Sequence, residues 1–554
     1  MLFRSSSGGL VNVLNDRIVT TLPDALSGAI NASYETVNQG KTGNIELDAP
    51  AGPIALHLDS TISNSNNYQI PGYAEQGGPN ANWAINPGNP VNVPYRGKLP
   101  FSFSSQNSLG FGASYIRNDG YTGASLERMN HNYGIPTAEG GFIQQSQNRY
   151  DFAHQTNNPF DGFSFLKFSA ANTNYQHTEF NNNGIASTQW SNTATEARLE
   201  LAHNKWLGSQ GVLGVQITGA TLNATDLATN NYAIVPQTKS NANALFLVEE
   251  GRYGDLKTSL GARYSYAGQN PNTATQFPSP SSQGIPNSYG PPSVQNRQFN
   301  LFSYSAGGIY DIVRGYGLGL AYTVSQRAPT PQELYSYGPH DSTATFDIGN
   351  SSLGTETSHN IELSFQKTLG NIRSKVSLYR NQFTNYIYGF YTGAYSTVYE
   401  NFSVVQASQA NAYIRGAEGE ISYNWNQSGV GSRIFGDVSQ GSFNAGGNLP
   451  LQPAPRLGTE LAYQKNGWLT SASYIYSYQQ NRLANWEIGP TPSYNLLNAN
   501  LSYTERIGKV NWTSYIALKN LLNEDIRYAT SPMAVRLYAP QPGRSLMIGV
   551  RAAF

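Results

Sequence analysis

The chain ends Ser545-Leu546-Met547-Ile548-Gly549-Val550-Arg551-Ala552-Ala553-Phe554, and this stretch decides the fold. Leu546, Ile548, Val550, Ala552 and Phe554 recur at every second position, with Ser545, Met547, Gly549, Arg551 and Ala553 between them. A period of two puts each set on its own face of a β-strand, because successive Cβ atoms point to opposite sides of the pleat. One face is greasy and the other is mostly small or polar. The same sorting separates Leu497, Ala499, Leu501 and Tyr503 from Asn498, Asn500 and Ser502. It separates Leu260, Ala262, Tyr264 and Tyr266 from Ser259, Gly261, Arg263 and Ser265, and it continues in Leu318, Leu320, Tyr322 and Val324. In a soluble sandwich the apolar face is the core; in a transmembrane barrel it meets lipid while the polar face lines the lumen.

Composition selects between the two. Only 12% of the 554 residues are charged, against a globular norm of about 25%, and 12% are aromatic, with 37 Tyr. The 34 Lys+Arg balance the 34 Asp+Glu, so no net field draws in nucleic acid. Absence of Cys excludes disulfide scaffolds, thiolate metal sites and cysteine nucleophiles. No segment approaches the roughly 20 apolar residues of a membrane-spanning helix. Connections fall into two classes: tight turns such as Gly370-Asn371, and long stretches rich in Asn, Gly, Pro and Ser, such as 66–99 and 267–297. Trp468 and the series Tyr474, Tyr476, Tyr478 stand near strand ends, as interfacial aromatic girdles do. A single sheet of this size needs closure to remove its edges, and about 24 residues per strand and connection gives about 22 strands. The expected fold is therefore all-β: a large antiparallel transmembrane β-barrel over residues 27–554, preferred to a secreted multidomain β protein. No phosphate-cradling glycine loop, His-Glu-x-x-His or nucleophile elbow is present, so no enzyme is expected.

Several segments resemble TonB-dependent outer-membrane receptors, in that family's order. They are Arg327-Ala328-Pro329-Thr330-Pro331-Gln332-Glu333-Leu334-Tyr335, Tyr413-Ile414-Arg415-Gly416-Ala417-Glu418, Tyr494-Asn495-Leu496-Leu497-Asn498-Ala499, Leu518-Lys519-Asn520-Leu521-Leu522-Asn523 and Pro542-Gly543-Arg544-Ser545. The resemblance implies that terminal Phe554 is a signal for the outer-membrane assembly machinery. Ser5-Ser6-Ser7-Gly8-Gly9-Leu10-Val11-Asn12-Val13 looks like the end of the family's plug, so residues 1–26 are expected to be a plug remnant. The rest of the plug, the TonB-contacting segment and a signal peptide are not found ahead of it, as in a truncated gene model. Implied partners are outer-membrane lipid and, through that missing region, the TonB complex of a Gram-negative cell. The barrel is expected to be a monomer with no nucleic-acid partner.

Within the family the zinc-importing subfamily is similar over Tyr337-Gly338-Pro339-His340-Asp341-Ser342-Thr343-Ala344-Thr345-Phe346-Asp347-Ile348-Gly349-Asn350. His57-Leu58-Asp59, Asn132-Tyr133-Gly134-Ile135-Pro136, Arg149-Tyr150-Asp151 and 196–203 resemble it too. Where zinc-importing relatives often carry a His-rich insertion, this chain reads Thr137-Ala138-Glu139-Gly140-Gly141. Zinc takes imidazole and carboxylate ligands. Of the 7 His, His340 beside Asp341 is the first candidate; His177 with Glu179, two apart on one strand face, is the best local pair; His131 is the third. No resident cofactor is expected, zinc being cargo. The alternative cargo is a ferric chelate bound by Tyr335, Tyr337, Tyr388 and Tyr391, and a barrel without its plug would instead be a passive pore. Glu196, Arg198 and Glu200 share a face and are expected to pair in the lumen, where Arg415 is a structural charge.

Overall fold

The computed structural model describes residues 15–78, 81, 95–137, 139–229, 231–399, 401–425 and 429–554; the plug-like stretch Ser5 to Val13 lies outside them. Its main sheet has 24 strands, two of which, Tyr337–His340 and Thr345–Ile348, form a hairpin inside a loop. The others make a closed antiparallel barrel of 22 strands. Closure joins the first strand, Ser27–Glu35, to the last, Ser545–Ala553, with Ala29 opposite Ala553 and Glu35 opposite Met547. With no free edge, the backbone groups of the wall pair within the sheet, which the bilayer interior requires.

Alternation translates directly into facing. Leu546, Ile548 and Val550 are exposed on the outer wall, as are Leu260, Tyr264, Leu318, Leu320 and Tyr322. Val324, next in that series, stands between Tyr304 and His359 of the neighbouring strands and is buried. Outward aromatics form two belts. Tyr253, Tyr316, Trp468 and Trp512 sit beside the short turns, and Tyr264, Tyr322 and Tyr474 stand about six to eight residues higher. At about 3.3 Å per residue that is about 20–26 Å along the strand, close to the apolar band of an outer-membrane barrel.

One end of the barrel carries tight turns, including Gly52-Pro53 and the Gly370 turn with φ +83°. The other carries long connections: 66–103, 272–296, 328–355, 478–493 and 520–544. The hydrophobic clusters gather mainly among these long loops and the strand tops rather than along the lumen. One joins Ile70, Leu99, Met533, Leu537 and Tyr538; a second joins Trp190, Ile234, Leu334, Tyr335 and Leu353; a third joins Ile285, Tyr337, Phe346, Ile348, Phe402 and Val404. The loops thus fold on one another over the barrel mouth. Below them the lumen wall is polar: Arg149 binds Asp151 at 2.7 Å, and Arg198 binds Glu200 at 2.7 Å while lying 4.2 Å over the Phe246 ring. Arg415 donates to Gln440, also on the wall.

Candidate metal site at the barrel mouth

The loop after strand Tyr316–Arg327 builds the site. At its root Pro331 starts the short helix Pro331–Tyr335, and Thr330 and Glu333 cap it reciprocally: Glu333 N–H donates to Thr330 Oγ1 at 3.2 Å, Thr330 N–H to Glu333 Oε2 at 2.8 Å. Arg327 clamps the root by binding both Glu333, at 2.9 Å, and buried Glu356, at 2.9 Å. Leu334 and Tyr335 sink into the loop core. The chain then forms the hairpin Tyr337–His340 and Thr345–Ile348, whose second strand runs parallel to Ser403–Gln406 of the wall. Gly338 permits the approach, because a Cβ there would run into the Ala233 carbonyl. The Tyr337 N–H donates to the Ile234 carbonyl at 2.7 Å.

This hairpin carries His340 and Asp341 to the top of the wall strands Phe163–Asn181 and Ala186–His203. Asp347 lies 2.9 Å from His340 Nδ1 and is itself held by Thr345 Oγ1 at 2.7 Å, so His340 is left to offer Nε2 to a ligand. Trp190 lies against both imidazoles, stacked on His177 at 6.0 Å and tilted toward His340 at 6.4 Å. Tyr175 Oη takes His177 Nδ1 at 2.9 Å, and His177 Nε2 faces Glu179 Oε1 at 3.7 Å. Glu179 is only 4% exposed, and its Oε2 is buried with no hydrogen-bond partner. A buried carboxylate oxygen in that condition is costly unless something positive meets it.

The electrostatics agree. Burial and the nearby Glu179 raise the Asp341 carboxyl above the usual range, against a lowering hydrogen bond from Ser187. Burial pulls the His340 imidazole down, but the Asp347 bond and the charges of Asp347, Glu179 and Asp341 outweigh it and raise it. Glu179 and Asp341 line a cleft of about 280 Å³ with Glu139, Asn181, Ser187 and Tyr399. A larger adjoining cleft, about 920 Å³, has Asp226 among amides, hydroxyls and the rings of Tyr232, Phe277, Tyr337 and Tyr399. Among the described residues lining either cleft there is no Lys, Arg or His.

Of the sequence candidates, Glu179 and Asp341 share one cleft, His177 faces Glu179, and His340 stands across the Trp190 ring from His177, so the four lie in one region of the mouth without forming a closed ligand set. His131 does not join them: its Nε2 is 2.8 Å from Ser104 Oγ, its ring packs on Tyr133 at 4.5 Å, and Gln145 lies between it and His177 in register. Of the chelate candidates, Tyr335 and Tyr337 are 0% and 1% exposed and belong to the loop packing, where burial pushes each phenol up to about 12. Tyr391 packs against the cluster of Met533 and Leu537, and Tyr388 stacks on Trp486 at 5.8 Å. Sequence reasoning missed Asp347, Trp190 and Ser187. Only the hairpin register, which sets Asp347 opposite Gly338 and Thr345 opposite His340, reveals the first, and only the register with His177 reveals the second.

A closed 22-stranded barrel with a lipid-facing wall, two aromatic belts and a loop-covered mouth defines a large outer-membrane transport barrel. Residues 16–521 match the family described as TonB dependent receptor-like, beta-barrel, and the chain belongs to that family. Its members are transport receptors of the Gram-negative outer membrane, working with TonB. Among solved structures the fold is similar to the copper transporter OprC, with TM-score 0.77 and 14% identity over 96% of this chain and 83% of that one. It is also similar to the FrpB iron transporter from Neisseria meningitidis, with TM-score 0.70, 12% identity and coverage of 96% and 82%. A mutant of the ferric enterobactin receptor PfeA from Pseudomonas aeruginosa, in complex with enterobactin, gives TM-score 0.72 and 13% identity over 96% and 82%.

Proposed function

We propose that this barrel takes up a divalent metal cation, zinc or a close neighbour of it, with His340, Asp341, Glu179 and His177 as the groups that receive it at the mouth. The observation that carries the reading is the buried, unpartnered Glu179 Oε2 in a cleft shared with Asp341, with His177 facing the other oxygen of Glu179. A cation satisfies that oxygen, relieves the repulsion between Glu179 and Asp341, and finds the nitrogen and oxygen ligands that zinc accepts. The absence of thiolates, with Cys at 0, favours zinc or copper(II) over copper(I). A negatively charged ferric chelate would meet carboxylates and no cation in either cleft, which disfavours it on charge alone.

The test is calorimetry on the purified protein in detergent with zinc, copper(II) and ferric chelates, alongside uptake under zinc limitation. Saturable binding of the free ion, weakened about tenfold or more by His340→Ala, supports the reading. Binding of a ferric chelate without binding of free metal overturns it in favour of chelate uptake. Large steady currents in planar bilayers, with neither ligand bound, overturn it in favour of a pore.

A further inference from the structure

Low in the lumen a second group of ligand-type side chains converges, on strands remote from the mouth. Strands Gly40–Ala51 and Ile54–Ser65 are joined by the Gly52-Pro53 turn, and their register sets Asp48 opposite His57 and Glu46 opposite Asp59. Positions two apart on each strand share a face, so the four side chains form a two-by-two block on the lumen wall. His57 lies three residues above the turn, about 10 Å at 3.3 Å per residue.

Among the described residues, Glu46, Asp48 and His57 are the group of three whose donor atoms all lie within 4.8 Å of one another. His57 is 3% exposed, with Nδ1 2.8 Å from Asp48 Oδ1 and Nε2 3.4 Å from Asp59 Oδ2. Glu46 is exposed and open to the lumen, so the block has a buried nitrogen at its back and an accessible carboxylate at its front. A cation of the protein's own already sits beside it. Arg17, from the segment that precedes the first strand, grips Asp59 with two bonds, Nε to Oδ2 at 2.6 Å and Nη2 to Oδ1 at 2.9 Å, and reaches Glu127 at 2.8 Å. Gly112 and Gly110, opposite His57 and Asp59 in register, make room for it, since a Cβ at Gly112 would run into the Arg17 carbonyl. Glu127 stands opposite Arg149 in register, but Glu46, Asp48 and Asp59 still outnumber the one guanidinium of Arg17, and Glu46 lies on the open side.

We propose that Glu46, Asp48 and His57 form a second divalent-cation site in the lower lumen, with His57 binding through Nδ1 and Asp59, held by Arg17, orienting the imidazole from its Nε2 side. One imidazole and two carboxylates make a nitrogen and oxygen set suited to zinc or cobalt(II), with room for solvent to complete the coordination. Arg17 then tunes the site from behind: while it neutralises Asp59 the imidazole has a weak partner at Nε2, and when it leaves, the free Asp59 charge strengthens His57 as a donor and the site tightens. The site stands on its own geometry and does not rest on the mouth reading.

Cobalt(II) is the probe, because its visible absorption reports coordination directly, and the full chain is used in a background carrying Glu179→Gln and His340→Ala. The expected result is one bound cobalt in that background, weakened about tenfold or more by His57→Ala and about as much by Asp48→Asn, and tightened by Arg17→Gln. Heat-modifiable mobility on a gel confirms that each variant is a folded barrel. Absence of cobalt binding in the mouth-disabled background overturns the proposal, as does binding that the two folded variants His57→Ala and Asp48→Asn leave unchanged. Failure of the mouth reading looks different: wild type and the mouth-disabled protein would then bind the same single equivalent.

Discussion

Gly28 and Phe554 exchange two backbone hydrogen bonds: the Gly28 N–H donates to the Phe554 carbonyl at 2.9 Å and the Phe554 N–H to the Gly28 carbonyl at 3.0 Å. The terminal residue is therefore the last stitch of barrel closure, whatever else its ring does. Deleting Phe554 removes both bonds, each with a net worth of about 1 kcal/mol, and leaves Gly28 unpaired at the seam. Phe554→Ala keeps them. The deletion is expected to lower the temperature at which the folded band is lost on a heat-modifiability gel, with the alanine variant close to wild type in that assay. Equal loss in both would assign the effect to the side chain.

Glu179 is a second place where structure and function pull apart. Replacing this buried carboxylate with its neutral amide removes an oxygen that lacks a partner, so Glu179→Gln is expected to leave the metal-free protein as stable as wild type or more so. The stabilisation that added zinc gives should shrink in the same variant. Thermal unfolding with and without zinc reads both effects; a metal-free protein that melts markedly earlier would mean that Glu179 is a structural group.

Arg327 is expected to act as the hinge pin of the long loop. It neutralises Glu356, which is 2% exposed and whose Oε2 also accepts from the Ile387 N–H at 2.7 Å. Arg327→Ala leaves that charge buried without its guanidinium, a change that costs about 3–5 kcal/mol in comparable settings. The loss should appear locally, as new protease cleavage within 328–355, while the barrel keeps its heat-modifiable mobility. An unchanged digestion pattern would show that the hydrophobic clusters hold the loop unaided.

The wall was legible because a β-strand repeats every second residue and the bilayer demands an apolar outer face; Leu546, Ile548 and Val550 needed no partner to be assigned. Arg198 and Glu200, two apart on one strand, pair at 2.7 Å as that spacing implies. The mouth was only half legible. His177 with Glu179 and His340 with Asp341 are local pairs, but nothing periodic links residue 179 to residue 341; a loop hairpin pairing in parallel with Ser403–Gln406 brings them together. The tyrosines show the reverse failure. Tyr335 reads as ligand-facing because it sits in a loop, whereas the loops here are thick enough to have a core of their own, into which Tyr335 is fully buried while Tyr337 still edges the larger cleft. The lower cluster was present in the sequence as Glu46 and Asp48, then His57 and Asp59, on either side of a Gly-Pro turn, and reading that turn as a hairpin would have placed all four on one face.

The same thickness of the loops makes a final prediction about Arg536. Its guanidinium, 1% exposed, reaches Glu487 at 3.5 Å and donates to the Ile488 carbonyl at 2.9 Å, tying loop 520–544 to loop 478–493. Burial lowers its pKa and Glu487 partly restores it, so the pair is a buried ionic bond beside an apolar cluster with Met533 and Leu537. Arg536→Ala leaves Glu487, 3% exposed on its side chain, with the backbone N–H groups of Leu451 and Ala484 but no counter-charge, and should free both loops at once. Arg536→Met, of similar length and apolar, leaves the same carboxylate without a counter-charge, whereas Arg536→Met combined with Glu487→Gln removes the charge problem and keeps most of the packing. Hydrogen exchange of 478–493 and 520–544 is expected to rise strongly in either single variant and to return most of the way in the double. If the double variant exchanges as fast as the singles, the ion pair itself, rather than relief of a stranded charge, is what holds these loops over the mouth.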